Sequence, residues 1–471
     1  MWYCAGAMKI LNTKAVPAES TLIRLISGPL TRFIEKDGVR ELHMGFGASK
    51  TLPLRKMVLF LRKIIVTAKQ NKLRKVALNW HEVRKIADKK ISDKKVGEVL
   101  ATAFQMANFD FNVYKKEPEG GFDTVDEVVI LDAPKLARDG IVRGEIIAME
   151  VNSTRALSNT PGGDMTPKIL SRVAQTIAEG TKVKVEVLGK KEMEKLGLGA
   201  ILGIAKGSEL EPQFITMEYR GAAKSKKPVV LIGKGVTFDT GGLQVKPGDS
   251  MYEMHMDMSG GAAVIHAVAL AAKLKLKVNV IGLVPAVENS PSGSAVRPGD
   301  ILRSLSGRTI EILHTDAEGR VIMADAITYA KRYDPKIVVD VATLTGASLI
   351  ALGTQASAYM TNKESVIPTI QRLGEASGDY VWPFPAWEEY EEMTKGTFGD
   401  VPNISTAGNS RYGGVIAGGM FLREFAKDLS CPWVHIDMAP RMTSTQGEFL
   451  AKGAAGAPVR LLLGIIEEYG R

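Results

Sequence analysis

From Lys182 to Tyr469, short apolar runs of strand length alternate with segments of helical period. No other feature restricts the fold as much. Strand-like runs are Lys182–Leu188, Gln213–Tyr219, Pro228–Gly233, Lys277–Val284, Thr309–Leu313, Lys336–Leu344 and Trp433–Asp437. Helical patterns fall at Lys190–Leu196, Gly260–Leu274, Arg320–Arg332, Gly413–Ala426 and Pro458–Tyr469. Strands interleaved with helices bury both faces of a sheet. The expectation is therefore a larger C-terminal α/β domain over 151–471, with a central mixed sheet flanked by helices. In such folds ligands sit at the carboxyl ends of strands.

A chain of 471 residues exceeds one ordinary core, so a second domain is expected. Residues 1–150 read as a smaller, non-catalytic α/β domain. Leu54, Met57, Val58, Leu61, Ile64 and Ile65 make one face of a helix over Leu54–Ala68. KVALNW (Lys75–Trp80) and EVVIL (Glu127–Leu131) read as strands, and Val83–Phe109 as one or two helices. His81 follows a strand end and reads as structural.

No apolar run reaches the 18 residues of a membrane span. The N-terminus, MWYCAGAMKILNTK, lacks the basic-then-apolar layout of a signal peptide. Met8 offers a second possible start after Met1. Cys4 and Cys431 suggest neither a disulfide framework nor a CxxC site, which fits a reducing cytoplasm. Charge is uneven. Thr51–Lys95 holds 14 Lys and Arg against 3 Asp and Glu, a net +11 in a chain of +9, leaving the remainder at −2. Such a segment can meet nucleic acid or present solvated helix faces.

Two glycine-rich stretches carry the chemistry. The first runs VVLIGKGVTFDTGGLQVK (Val229–Lys246) and continues to MHMDMSGGAA around Asp257; the second is HTDAEGR, His314–Arg320. They supply Asp239, Asp257, Asp316 and Glu318, the oxygen ligands that hard divalent cations need. Buried together without a cation these carboxylates would repel one another. Asp316 and Glu318 are spaced i, i+2, which in an extended loop sends both side chains the same way. Two metals about 3.5–4 Å apart can share a hydroxide and polarise a carbonyl. Lys234 and Lys246 flank the first stretch. One could ligate a metal once deprotonated, and the other could steady an oxyanion. The Arg320 fork suits a small planar anion.

These residues resemble the leucyl aminopeptidases, the M17 metallopeptidases. The family signature NTDAEGR stands here as HTDAEGR, and GKGVTFDTGG matches the family's metal segment. NTPGGDMTP, MDMSGGAA, DVATLTGA, RYGGVIAGGMFLREF, HIDMA and KGAAGAPVR follow in order, so the resemblance covers about Asn152–Ile466. It implies an aminopeptidase that prefers leucine, has broad specificity and carries two Mn²⁺ or Zn²⁺ ions. By that resemblance Lys234, Asp239, Asp257 and Glu318 hold the tighter ion. Asp239, Asp316 and Glu318 hold the more exchangeable one, helped by the Asp316 carbonyl. Lys246 polarises the scissile carbonyl. Arg320, with backbone near Leu344, holds a bicarbonate that acts as general base. Met254, Thr343, Gly346, Ala439 and Met442 line the side-chain pocket. The substrate's free α-amine binds a metal, and the subunits form a cytoplasmic homohexamer. His314 replaces the usual Asn and Val321 the usual Leu, while His255 is expected not to be a ligand. APRMTSTQG lacks the glycine that usually follows HIDMA. Some bacterial relatives bind DNA, which gives the basic 51–95 segment a second reading.

Overall fold

The computed structural model describes residues 8–36, 39–407 and 412–471. The choice of start between Met1 and Met8, Cys4, and Arg411 of the RYGG segment lie outside the described residues. The chain divides into two compact units. One is Met1–Ala156 with Ser444–Gly453; the other is Leu157–Thr443 with Ala454–Arg471. Residue 150, the boundary expected from the sequence, falls inside helix Lys135–Asn159.

The first unit holds a six-stranded sheet in the order Lys9–Thr13, Glu127–Leu131, Lys75–Asn79, Thr21–Ile26, Val39–Gly45, Thr31–Lys36. All neighbours are parallel except the last pair. Helix Leu54–Gln70 buries Met57, Leu61, Ile64 and Ile65, as its apolar spacing requires. Val83–Phe109 resolves into helices Trp80–Ile86 and Asp93–Asn108; Asn79 and Ser92 cap them by accepting from His81 N and Lys95 N. His81 is exposed and belongs to this cap. In the basic segment Arg74 pairs with Asp126, and Lys75 with Glu19. Lys56, Lys72, Lys85, Lys89, Lys90 and Lys94 are exposed. Among the described residues no helix is long and apolar enough to cross a membrane.

The second unit is built on a nine-stranded mixed sheet. Its order is Val381–Pro383, Ser357–Thr361, Trp433–Asp437, Ile337–Ala342, Val229–Gly233, Asn279–Asn289, Gln213–Arg220, Val183–Leu188. Gly235–Asp239 adds a ninth strand on the far end of Asn279–Asn289. The central strands Trp433–Asp437, Ile337–Ala342, Val229–Gly233 and Asn279–Asn289 run parallel. Val230, Ile232, Ile281 and Leu283 point into a core shared with Val321, Ile322 and Phe421 of helices Glu318–Ala330 and Gly414–Ala426. A side chain at Gly282, between two of these residues, would instead meet Val264 and Val268 of helix Ser259–Lys273. Alternate residues along one strand thus face helices on opposite sides.

One expectation is corrected. The strand leading into HTDAEGR covers only Thr309–Glu311 and belongs to a separate three-stranded sheet with Ile301–Arg303 and Val401–Pro402. The second motif is therefore not mounted on the main sheet.

Candidate metal centre

Lys234 interrupts two strands, Val229–Gly233 and Gly235–Asp239. Its N–H donates to Val341 O and its carbonyl accepts from Gly261 N, at 2.9 and 2.7 Å. The chain is thus pinned between the next strand and a helix start, and the Lys234 side chain runs over Gly319. A Cβ there would lie 2.5 Å from Lys234 Cε, so the glycine of the EGR run makes room for the lysine. Lys234 Nζ sits 2.8 Å from Asp257 Oδ2, 2.7 Å from Glu318 Oε1 and 3.0 Å from Thr343 O.

Lys246 forms the second corner. Its Nζ lies 2.8 Å from Asp239 Oδ2 and 2.5 Å from Asp316 Oδ1. The loop between them turns through Gly241 at φ +88, and Gly241 N donates to Asp239 Oδ1. Oxygens of Asp239, Asp316 and Glu318 lie within 4.8 Å of one another. Asp257 meets this group through Lys234. The six side chains picked out by sequence thus converge.

Asp316 and Glu318 converge differently from the expected extended loop. Asp316 sits in a turn and Glu318 is the first residue of helix Glu318–Ala330, with Ala317 at its N-cap. Arg320 lies in the first turn. Thr315 stitches the two motifs, donating to Gly241 O at 2.6 Å and accepting from Gln244 N at 2.9 Å.

Four carboxylates face two ammonium groups here, so negative charge is left over. Burial pushes Asp257 up to about 7 and Asp316 up to about 6, with neighbouring carboxylates adding to each. Glu318 is raised as well, by burial and then by Asp239. Burial opposes charge on Lys234 and Lys246, but the carboxylates overcome it and hold both firmly protonated. The Glu318 Oε2 atom is buried without a partner. Asp257 Oδ2 and Asp316 Oδ1 meet the lysines by distance but in no aligned hydrogen bond. Buried oxygens with surplus negative charge fit a divalent cation, which supplies what the fold leaves unsatisfied.

Arg320 is buried; its Nη1 donates to Asn403 O at 2.9 Å and its Nε has no partner. Burial lowers its pKa, opposed by Glu318 and Asp437. Leu344 N and Thr345 N both donate to Asp437 Oδ1, at 3.1 and 3.4 Å. The Leu344 amide is therefore already committed. Thr343 Oγ1 donates to Asp257 Oδ1 at 2.6 Å. Met254 lies in the turn just before Asp257, and Gly346 opens helix Gly346–Leu352, which packs on the turn Ala439–Arg441. Met442 follows that turn. His314 Nδ1 accepts from Asp316 N at 3.2 Å, and burial, Lys246 and Arg320 lower its pKa. The ring thereby holds the Asp316 turn. His255 is half-buried outside the carboxylate group.

Sequence reasoning missed the residues that hold this arrangement. Asn289 Nδ2 donates to Asp239 Oδ1 and Thr315 O. Asn403 and Asp437 brace the later loops. Asn403 interrupts a short apolar run, V-P-N-I, and a polar amide in such a place is the one signal available.

Comparison with known proteins shows the family. Residues 152–463 match the model of the cytosol aminopeptidase family, catalytic domain. The chain belongs to that family. It is 42% identical over 377 residues to a probable cytosol aminopeptidase of Syntrophotalea carbinolica, covering 79% of this chain and 75% of that protein. It is 46% identical over 320 residues to one from an Azoarcus species, covering 68% and 62%. Among solved structures it resembles a bottromycin maturation enzyme, BotP, in complex with Mn. That likeness has a TM-score of 0.86 at 27% identity, over 96% of this chain and 100% of the other. Family membership makes the chain a hydrolase, a metal-dependent aminopeptidase, and its cofactor a divalent metal ion.

Proposed function

We propose that this family member removes N-terminal residues, leucine above all, from peptides at a centre holding two divalent ions. The observation that carries the reading is the convergence of buried Asp239 and Glu318 with half-buried Asp316, Glu318 Oε2 being unpartnered. Asp239, Asp257 and Glu318 would hold the deeper ion together with Lys234, which would bind it as the free amine once the cation displaces its proton. Asp239, Asp316 and Glu318 would hold the other. Asp316 is 29% exposed where Asp257 is 4%, which supports easier exchange at the second position. The Mn-bound likeness favours Mn²⁺, with Zn²⁺ the alternative. When bound, such ions activate water and polarise a carbonyl.

The protein's own groups do the rest. Lys246, in reach of Asp239 and Asp316, places a fixed positive charge beside the scissile carbonyl and stabilises its developing negative charge. Arg320 offers an unused Nε donor for bicarbonate. The Leu344 amide is engaged by Asp437, so anion binding there would rest on Arg320. Met254, Thr343, Gly346, Ala439 and Met442 would surround the first side chain. An apolar pocket discriminates by only about 1–3 kcal/mol per methylene, which gives broad specificity. Metal analysis after dialysis tests the stoichiometry. Two ions per wild-type chain, reduced in Glu318→Ala, are expected, and two retained by the variant would refute the assignment.

The assembly is proposed as a cytoplasmic homohexamer, checked by light scattering. A second reading, DNA binding, is favoured by the exposed lysines Lys56, Lys72, Lys85, Lys89, Lys90 and Lys94.

A further inference from the structure

The HTDAEGR motif is supported by a strap from elsewhere in the chain. Asp400 Oδ2 accepts from Thr309 N at 2.7 Å and Thr309 Oγ1 at 2.8 Å. Glu311 Oε2 accepts from Thr397 N at 2.8 Å and Phe398 N at 3.2 Å. Val401–Pro402 then pairs with Ile310–Glu311.

Asn403 ends the strap and is fully buried. Its Oδ1 accepts from Leu313 N at 2.8 Å and His314 N at 3.1 Å. Its Nδ2 donates to His314 O at 2.6 Å, and its carbonyl accepts from Arg320 Nη1 at 2.9 Å. Its N–H donates to Glu311 O at 2.9 Å. One residue therefore grips both ends of the motif, the entry at Leu313–His314 and the exit at Arg320. The turn between them carries Asp316 and Glu318.

We infer that Asn403 is a positioning residue of the metal centre: it fixes the span of the HTDAEGR turn, so that Asp316, Glu318 and Arg320 keep their common orientation. The inference rests on the metal-centre reading above. Groups that orient metal ligands typically change metal affinity about 10–100-fold when removed, and a 1 Å displacement at a catalytic group can cost about 100-fold in rate. A residue with a merely structural role would lower thermal stability and leave each folded molecule's metal affinity and kcat intact.

The test uses the full chain carrying Asn403→Asp or Asn403→Ala. Asn403→Asp keeps shape and both acceptor contacts but turns the donor facing His314 O into an oxygen that is charged unless protonated, whereas Asn403→Ala removes all three side-chain contacts without adding charge. Lys395→Gln, whose exposed side chain pairs with Glu392, is the control. Mn²⁺ binding is read by electron paramagnetic resonance of the free ion, beside kcat and KM for Leu-p-nitroanilide. The expected result is Mn²⁺ affinity lowered about 10–100-fold and kcat about 100-fold, with KM within about threefold. The control should match wild type. A folded Asn403 variant with unchanged Mn²⁺ affinity and kcat overturns the inference. So does failure of both variants to fold, which would make Asn403 a folding residue. A wild type that binds Mn²⁺ but cleaves nothing would sink the peptidase reading alone, because the Mn²⁺ measurement still decides the role of Asn403.

Discussion

Glu318 and Asp325 are buried carboxylates on one helix, and their surroundings are opposite. Asp325 is met by three backbone donors, Ala200 N and Ile201 N on Oδ2 and Leu305 N on Oδ1, at 3.0, 3.1 and 2.7 Å. It ties three segments together. Glu318 faces Lys234 through Oε1 and nothing through Oε2. The fold satisfies one carboxylate and leaves the other for something from outside. Burial alone therefore does not mark a functional acid; the lack of protein partners does.

That contrast breaks first at Glu318. Glu318→Ala should lower activity at saturating metal by about 1,000-fold and leave the denaturation midpoint near wild type. Wild-type turnover with metal present would refute the assignment. Asp325→Ala should do the reverse, orphaning three buried donors and costing about 3 kcal/mol of stability. Activity per folded molecule should change little, as kinetics beside urea unfolding would show.

A pH series sharpens the same point. Burial raises Asp325 to about 7 from an ordinary 3.8, although its backbone donors oppose the shift. The folded state then keeps its proton where the unfolded state has lost it. Stability from this group falls as pH rises from about 4 to about 7. The difference in unfolding midpoint between wild type and Asp325→Asn should move over that window, and a constant difference would contradict the assignment.

Smaller effects are expected outside the carboxylate group. Arg320→Ala should lower activity about 10–100-fold and make it more responsive to added bicarbonate; indifference to bicarbonate would remove the anion role. The smallest effect concerns the basic segment. Neutralising Lys85, Lys89 and Lys90 should weaken DNA retention and flatten its salt dependence without touching peptidase kinetics. No retention by wild type at moderate salt would end that reading.

The sequence made the charged groups legible and left their supports hidden. Asp239, Asp257, Asp316, Glu318, Lys234 and Lys246 stand out because charged residues among glycines have few structural uses. Asn289, Asn403, Thr315 and Asp437 do not, since their role is to accept or donate to backbone that only the fold brings near. The long helices and central strands followed from periodicity. Strands Thr21–Ile26, Thr31–Lys36 and Val39–Gly45 escaped because charged residues fall inside the runs, and Lys9–Thr13 because its five residues, KILNT, carry too few apolar side chains to show an alternation. The placement of Thr309–Glu311 failed for a different reason: three residues carry too little pattern to show which sheet they join.

The central claim is that the carboxylates around Lys234 and Lys246 form a metal centre acting on free N-termini. Its most direct test is hydrolysis of Leu-p-nitroanilide by chelated protein resupplied with Mn²⁺ or Zn²⁺, with the acetylated substrate as control. The account predicts no cleavage after chelation, cleavage restored by metal, and none of the acetylated compound. Undiminished cleavage after complete chelation, or equal cleavage of the acetylated substrate, would contradict it.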